Sequence, residues 1–244
     1  MNIESLLKKI ERRELQELQD LTERYQYQGS NVPRVTEIIS SMIHEEYLMK
    51  WANNIGLYQR KRYQDERDKA AEKGSYVHNA IEDFIQNGVD LNFNDIETCY
   101  RREVSVAYGS FKEWWNIISQ RQFRIIMQET KIVCPWFGGT LDILIEIDGK
   151  IYLLDFKTSN HLSYKYFLQL AAYRYILKNY YGIDIYGCGI IKLEKKYIEF
   201  SECIIDKSNP EFDSFMDSCE RSFLSLVYAY FSKSHVEFIY NNLF

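Results

Sequence analysis

The stretch GGTLDILIEIDGKIYLLDFKT (residues 138–158) decides the fold of this chain. Apolar runs flank Asp148-Gly149, and an Asp-Gly pair in that setting favours a β-hairpin with a two-residue type I′ turn. Ile147 then faces Lys150, and counting outward places Asp142 opposite Asp155, with Cβ atoms about 4.5–5.5 Å apart. Lys157 follows two residues later and therefore lies on the same face as Asp155. The hairpin predicts two aspartates and a lysine side by side among Leu and Ile residues.

Such a pair of aspartates predicts a cation. Like charges directly opposite each other destabilise a strand pair, and removing them from water costs more. Carboxylate oxygens and water are the ligands that Mg²⁺ or Mn²⁺ prefers. A bound cation can activate water and neutralise a phosphate, while Lys157 contacts the phosphate or the attacking water. The alternative is that Asp142 and Asp155 are solvated residues at strand ends, because the D-x12-D-x-K spacing alone is weakly specific.

Outside the hairpin, the spacing of apolar residues predicts helices before and after a short β region. Residues 3–25 have the period of an amphipathic helix, which suits core packing and docking of a partner equally well. The further expectations are a loop over 29–35, a helix capped by Thr36 that reaches about Met42, charged helical sequence over 45–72, a break at Gly74-Ser75, a helix over 76–87 capped by Ser75, a helix over 96–119, a strand from Phe123, a helix over 162–180, strands near 185–193 and 196–204, and helices after Pro210.

The amino-acid composition restricts the classes of protein to which this chain can belong. The net charge is −5, which opposes binding of nucleic acid by bulk electrostatics alone. Nucleic-acid binding then requires local basic groups, such as Arg60-Lys61-Arg62 or Arg101-Arg102, or cations that offset a carboxylate cluster. The five cysteines have neither disulfide-framework nor zinc or iron–sulfur spacing, and we expect reduced thiols. No apolar run of membrane-spanning length and no secretory leader is evident, so we expect a cytoplasmic protein without a membrane partner.

Four separated motifs resemble the RecB-like branch of the PD-(D/E)XK nuclease superfamily, in the order typical of that branch. They are GSYVHNAIE (74–82), GGTLDIL (138–144), LLDFKTS (153–159) and QLAAY (169–173). NVPRVTEIIS, YLMKWANNIG and AAEKGSYVHNAIEDF also resemble phage exonucleases and the mitochondrial genome maintenance exonuclease within that branch. The resemblance spans roughly residues 31–200.

The resemblance implies roles for particular residues. His78, Asp142 and Asp155 would be metal ligands, the backbone carbonyl of Phe156 a further oxygen ligand, and Lys157 the catalytic lysine. Gln169 and Tyr173, at i and i+4 of a predicted helix, would position Lys157 or a DNA phosphate. Packing and capping between helix and sheet is the other interpretation of those two residues. The remaining candidates are Thr158 and Ser159 as phosphate donors, Glu82 beside His78, and Glu129, which we expect to be an exposed edge-strand carboxylate rather than a support for the ligands.

The resemblance also implies an α/β fold with a mixed central β-sheet flanked by helices, a restriction-endonuclease-like core. We expect a single nuclease domain over 1–244, with a helical N-terminal region (1–73), a catalytic core (74–204) and C-terminal helices (205–244). The implied cofactor is Mg²⁺ or Mn²⁺, and the implied partner is DNA, as single strands or ends. If the chain is phage-encoded, the compartment is the cytoplasm of a bacterial host cell.

Three functions stay open at this point. The first is an exonuclease that hydrolyses DNA phosphodiesters, and the second, within the same class, is an endonuclease. The third is a non-catalytic DNA-binding or assembly protein that keeps the nuclease fold, with a protein partner docked through the N-terminal amphipathic helix. Retention of opposed carboxylates favours an enzyme, because a structural protein has no physical reason to keep them.

Overall fold

The computed structural model describes residues 25–43, 46–60 and 62–243. Apart from Tyr25, the amphipathic helix predicted over 3–25 lies outside the described residues. The helices are α1 (Val35–Met42), α2 (Glu46–Gln59), α3 (Tyr63–Asn87), α4 (Arg101–Ile118), α5 (Lys165–Tyr180) and α6 (Phe212–Leu243), and the strands are β1 (Tyr25–Tyr27), β2 (Ser30–Val32), β3 (Phe123–Val133), β4 (Gly138–Ile147), β5 (Lys150–Lys157), β6 (Gly187–Leu193) and β7 (Phe200–Asp206).

Strands β3 to β7 form one mixed sheet in sequential order. Its neighbouring strands are antiparallel except β5 and β6, which run parallel. A parallel pair needs a crossover, and α5 supplies it. The carboxyl ends of β5 and β6 therefore meet at the same end of the sheet, which we call the Lys157 end. The opposite end, where β5 begins, is the Lys150 end.

The β4–β5 hairpin has the predicted turn and register. Asp148 and Gly149 have φ angles of 50° and 75°, as a type I′ turn requires. The paired residues run from Ile147 opposite Lys150 to Ile143 opposite Leu154. The next step in this register is Asp142 beside Asp155, at the Lys157 end of the sheet. The α/β fold with a mixed central sheet flanked by helices is confirmed.

Apolar side chains of alternate residues in the strands enter two cores, one on each face of the sheet. Leu154 and Phe156 pack with α3 and α4, whereas Leu153 packs with α1, α5 and α6. Phe111 and Trp114 of α4 are among the largest fully buried side chains. The sheet is thus a middle layer, with α3 and α5 on opposite faces.

The break expected at Gly74-Ser75 is wrong, because α3 runs through both residues. The Ser75 hydroxyl donates a hydrogen bond to Ala71 O at 3.2 Å, four residues back within the same helix. A hydroxyl engaged in this way does not act as an N-cap. The boundary expected between residues 73 and 74 accordingly falls inside a helix.

The loop expected over 29–35 is also wrong in part. Strands β1 and β2 form a short hairpin whose turn residues Gln28 and Gly29 have φ angles of 49° and 82°. Strands of three residues are too short to show a period in the sequence. Helix α1 begins at Val35, before Thr36, and the Arg34 backbone N–H donates to Glu37 Oε2 at 3.4 Å.

Within the described part of the chain, no helix combines the length and the apolar character needed to cross a membrane.

Candidate active site

Three structural elements bring the predicted site residues together at the Lys157 end of the sheet. Helix α3 carries one of them, the β4–β5 hairpin carries four, and α5 carries two. In that order they are His78, then Asp142, Asp155, Phe156 and Lys157, then Gln169 and Tyr173. Hydrogen bonds and ion pairs join these residues into two groups, one on the side of α3 and one on the side of α5.

The group on the side of α3 is built around the backbone of Phe156. Its N–H donates to Asp142 Oδ2 at 2.8 Å, which fixes a carboxylate that is only 9% exposed. Its carbonyl accepts from His78 Nε2 at 3.1 Å, and His78 Nδ1 lies 3.6 Å from Asp142 Oδ2. The imidazole, the carboxylate and the backbone carbonyl therefore border the same small volume.

The group on the side of α5 is a chain of four polar side chains. Asp155, only 2% exposed, accepts from Gln169 Nε2 at 3.0 Å through Oδ1, and the Lys157 Nζ lies 2.6 Å from Oδ2. Gln169 Nε2 also donates to the Tyr173 hydroxyl at 3.3 Å. The i, i+4 spacing on α5 thus places Gln169 against Asp155, with Tyr173 behind it.

Gly139 is needed for Tyr173 to occupy this position. A Cβ at residue 139 would lie 2.4 Å from Cε1 and 2.6 Å from the hydroxyl oxygen of Tyr173. Tyr173 is buried, so the ring has no open space into which it could withdraw. The second glycine of the GGTLDIL motif is explained by this close approach of helix and strand.

Burial and mutual repulsion govern the charges of the site. Burial, and next the charge of Asp142, raise the pKa of Asp155 to about 6. Burial alone lowers the pKa of Lys157, but Asp155 and Asp142 outweigh it and hold that pKa above its usual range. Burial likewise lowers the pKa of His78, while Asp142 and Glu129 raise it to about 9. The carboxylates of Glu129, Asp142 and Asp155 thus outnumber the two cations of the site, Lys157 and a protonated His78, and negative charge is in excess.

Glu129 lies on the edge strand β3, as expected, but its side chain is not exposed and belongs to the group on the side of α3. Its Oε1 lies 3.5 Å from His78 Nδ1, and its side chain is only 24% exposed. A bulge between Ile125 and Met127 shifts the pairing of β3 with β4, so that Glu129 comes level with Asp142. The backbone of Glu129 has a φ of 41°, which is uncommon for a residue with a side chain.

The donors on the side of α3 fit a divalent cation. The ligand atoms of His78, Glu129 and Asp142 all lie within 4.8 Å of one another, and the Phe156 carbonyl adjoins them. One imidazole with carboxylate and carbonyl oxygens is a donor set that suits Mn²⁺ or Mg²⁺. The oxygens of Asp155 lie against Gln169 and Lys157 instead, so its part as a metal ligand stays a prediction.

Two of the other candidates, Glu82 and Ser159, have partners of their own. The Glu82 carboxylate accepts from Gln86 Nε2 at 3.0 Å. The Ser159 hydroxyl donates to His161 O at 3.0 Å and accepts from the Tyr166 hydroxyl at 3.1 Å, which orders the loop after β5. Thr158 lies beside α3, where a Cβ on Gly74 would be 3.7 Å from its hydroxyl oxygen. A role of Thr158 or Ser159 in binding phosphate stays a prediction.

Comparison with known proteins gives remote structural likenesses. No family model and no curated protein matches this chain. Among solved structures, the chain is similar to a phage related exonuclease from Haemophilus somnus 129PT (TM-score 0.38, 10% identity, 85% of this chain and 96% of that chain). It is also similar to SSO0001 (TM-score 0.37, 15% identity, 91% and 85%) and to the alkaline exonuclease LHK-Exo from Laribacter hongkongensis (TM-score 0.34, 11% identity, 55% and 70%). Likenesses at these TM-scores are too remote to carry the activity of those proteins over to this chain.

Proposed function

We propose that this protein is a metal-dependent DNA nuclease that hydrolyses phosphodiester bonds, as an exonuclease on single-stranded DNA or DNA ends. One observation carries the proposal. Asp142 and Asp155 are buried beside each other with Lys157 between strand and helix, and an imidazole donor stands next to them. Excess buried negative charge is costly unless a cation binds, and a cation beside a lysine suits an anionic substrate such as a phosphodiester.

The metal would be Mg²⁺ or Mn²⁺. His78, Glu129 and Asp142 are the side chains grouped to hold it, and Asp155 and the Phe156 carbonyl are the further oxygen ligands that the motifs imply. When bound, such a cation supplies an activated water molecule and neutralises charge on the scissile phosphate.

Lys157 is the residue that we expect to touch the reacting phosphate. Asp155 holds its ammonium group at one place, and the Tyr166 ring centroid lies 5.2 Å from Nζ. A cation fixed before the substrate arrives stabilises charge that develops on the phosphate oxygens without reorganising during the reaction.

Gln169 and Tyr173 act through Asp155. The Gln169 amide donates to Asp155 Oδ1, and this leaves Oδ2 directed at Lys157. Tyr173 accepts from the same amide and limits its rotation. Both are positioning residues in this scheme, and their effect on the reaction depends on the orientation of the carboxylate.

The test compares two single-stranded DNA substrates, one linear and end-labelled and the other covalently circular. We expect the wild type to degrade the linear strand with Mn²⁺, EDTA to abolish degradation, and the Lys157→Ala substitution to slow it by about 10²–10³. Lys150→Ala, an exposed lysine at the opposite end of the sheet, is the matched control and should cleave like the wild type.

Each outcome separates the candidate functions. Cleavage of the circular strand would establish an endonuclease instead of an exonuclease. Binding of DNA without cleavage under Mg²⁺ or Mn²⁺ would refute the enzyme and favour a non-catalytic DNA-binding or assembly protein.

A further inference from the structure

The turn between β6 and β7, residues 194–199, lies at the same end of the sheet as the candidate active site. Strands β5 and β6 are parallel neighbours, and Lys157 pairs directly with Lys192. The turn begins two residues after Lys192. Helix α3 approaches the same place, because Gly74 lies against Thr158. The turn therefore lies at the end of the sheet at which Lys157 lies.

Helix α4 holds this turn in a fixed position. Ser110, which is completely buried, bridges the two ends of the turn: its hydroxyl contacts Glu194 O at 3.2 Å and accepts from the Glu199 N–H at 3.0 Å. The preceding residue, Gly109, leaves room for Ile198, whose side chain would lie 3.1 Å from a Cβ at position 109. A buried hydroxyl and a glycine thus seat an exposed turn rigidly on the helix.

The turn carries two lysines, Lys195 and Lys196, together with two glutamates, Glu194 and Glu199. Lys73 pairs with Glu103 at 2.9 Å, and Lys192 pairs with Glu194. Among the residues that the structure describes, Lys195 and Lys196 form no such ion pair. Burial lowers the pKa of Lys195 below its usual value, and the opposing charge of Glu103 offsets this only in part. Of these lysines, Lys195 and Lys196 therefore remain available to pair with phosphates.

Tyr197 at this turn is 75% exposed, among the most exposed of the large hydrophobic side chains in the described part of the chain. An aromatic ring on a rigid turn beside unpaired lysines has the two components of a single-strand binding surface, a stacking platform and cations that follow the phosphates. Stacking of this kind requires bases that are free of a complementary strand.

We propose that the turn 194–199 binds the single-stranded part of the substrate, with Lys195 and Lys196 against its phosphates and Tyr197 stacked on an unpaired base. This inference rests on the proposed nuclease function and names its substrate as single-stranded DNA that extends beyond the scissile bond. The turn contributes to affinity and strand preference, while hydrolysis itself needs only the residues around Asp155 and Lys157.

The test uses the full chain, with one long and one short substrate. The long substrate is a fluorescent single-stranded oligonucleotide of about twenty nucleotides, and the short one is bis(p-nitrophenyl) phosphate, which is too small to reach the turn. The variants are Tyr197→Ala, Tyr197→Phe and the double substitution Lys195→Ala/Lys196→Ala. The controls at the Lys150 end of the sheet are Tyr181→Ala, which removes an exposed tyrosine, and Lys150→Ala/Lys207→Ala, which removes equal charge.

We expect Tyr197→Ala to weaken oligonucleotide binding about tenfold, and Tyr197→Phe to bind like the wild type because the ring remains. The double lysine variant should weaken binding and reduce the salt dependence of log Kd by about 1.4, the value for two phosphate contacts on a single strand. The rate on bis(p-nitrophenyl) phosphate should not change in any of these variants. Both control variants should match the wild type on both substrates.

A base-stacking readout distinguishes contact from a merely structural effect. An oligonucleotide with 2-aminopurine at successive positions should lose fluorescence at one position on binding to the wild type and to Tyr197→Phe, and keep it with Tyr197→Ala. The inference is overturned if the turn variants bind the oligonucleotide like the wild type. It is also overturned if the control variants weaken binding as much as the turn variants do. In both cases the nuclease proposal stands. A wild type that neither binds the oligonucleotide nor cleaves either substrate would refute both.

Discussion

Helix α5 contacts buried charge at two places, and the two places are built in opposite ways. Gln169 reaches Asp155, a buried carboxylate that shares Lys157 with Asp142. Arg174, five residues later and 5% exposed, donates to Asp217 of α6 at 2.9 Å. The first place joins helix to sheet and the second joins helix to helix.

The difference lies in which sign of charge is buried. At Arg174 the cation is buried and two of its three carboxylate partners reach water, since the side chains of Asp213 and Asp217 are 71% and 57% exposed, whereas that of Glu220 is 23% exposed. The buried charge of Arg174 is balanced without a ligand. Around Asp155 the carboxylates of Asp142, Asp155 and Glu129 outnumber Lys157 and the protonated His78, so that a further cation stabilises the site. Buried charge alone does not mark an active site, whereas excess buried negative charge does favour a metal site.

The largest expected effect is on kcat, which should depend on the site around Asp155 and not on the contact at Arg174. Lys157→Ala should lower kcat on linear single-stranded DNA by about 10²–10³, because it removes the cation nearest the developing charge. Arg174→Met should leave kcat per folded molecule unchanged. The measurement is the initial rate at saturating DNA with Mn²⁺, corrected for the folded fraction by circular dichroism. A Lys157→Ala enzyme within tenfold of the wild type would contradict the assigned role.

The next effect concerns stabilisation by metal. Saturating Mn²⁺, at about 100 times its Kd, should stabilise the wild type by about 2.7 kcal/mol, equivalent to a rise in Tm of about 5–10 °C. Asp142→Asn should lose this rise, since an amide keeps the contact with the Phe156 N–H but not the charge. Thermal unfolding with Mn²⁺ and with EDTA measures both. Arg174→Met should keep the full rise, and its loss there would erase the distinction between the two places.

Arg174 itself should matter for stability. Arg174→Met should lower the free energy of unfolding by about 2 kcal/mol, the range of hydrogen bonds to charged groups, because the exposed carboxylates simply return to water. Urea unfolding in EDTA measures this change. A matched substitution, Lys207→Met, removes an exposed cation paired with Asp184 and should cost much less. Equal decreases in the free energy of unfolding in the two variants would show that burial of Arg174 does not strengthen its contribution to stability.

The smallest effect tests the residue that the sequence placed elsewhere. Glu129→Gln should weaken Mn²⁺ binding about tenfold, because it removes one of the charges grouped around His78. Glu146→Gln, on the neighbouring strand and paired with Arg124, is the control and should bind Mn²⁺ normally. Titration of Mn²⁺ followed by electron paramagnetic resonance gives both affinities. An unchanged affinity for Mn²⁺ in Glu129→Gln would show that Glu129 takes no part in metal binding.

The hairpin could be predicted from the sequence because residues close to one another in the chain determine its turn and its register. The Asp-Gly turn fixes which residues pair, and the register then places Asp142 next to Asp155 without knowledge of the rest of the chain. The position of Gln169 and Tyr173 on one side of a helix was predictable for the same reason, from their i, i+4 spacing, whereas their role in the site was implied only by the resemblance.

Glu129 could not be placed in this way. Without the bulge after Ile125, Gln128 would come level with Asp142, and a shift of one residue moves every side chain of a strand to the other face. No pattern in the sequence predicts that bulge. Arg174 and Asp217 are 43 residues apart in the sequence. Their contact depends on how α5 and α6 pack, which the local sequence pattern does not show. The unbroken course of α3 was missed because Gly74-Ser75 resembles a helix boundary locally.

One titration tests the central claim most directly, namely that the excess negative charge around Asp142 and Asp155 holds the cation on which cleavage depends. Bound Mn²⁺, from electron paramagnetic resonance, and the rate of cleavage of linear single-stranded DNA are followed in the same samples as Mn²⁺ is added. The account predicts that both rise with one midpoint, and that both are lost in Asp142→Asn. Cleavage that persists in EDTA, or in Asp142→Asn without bound Mn²⁺, would contradict it.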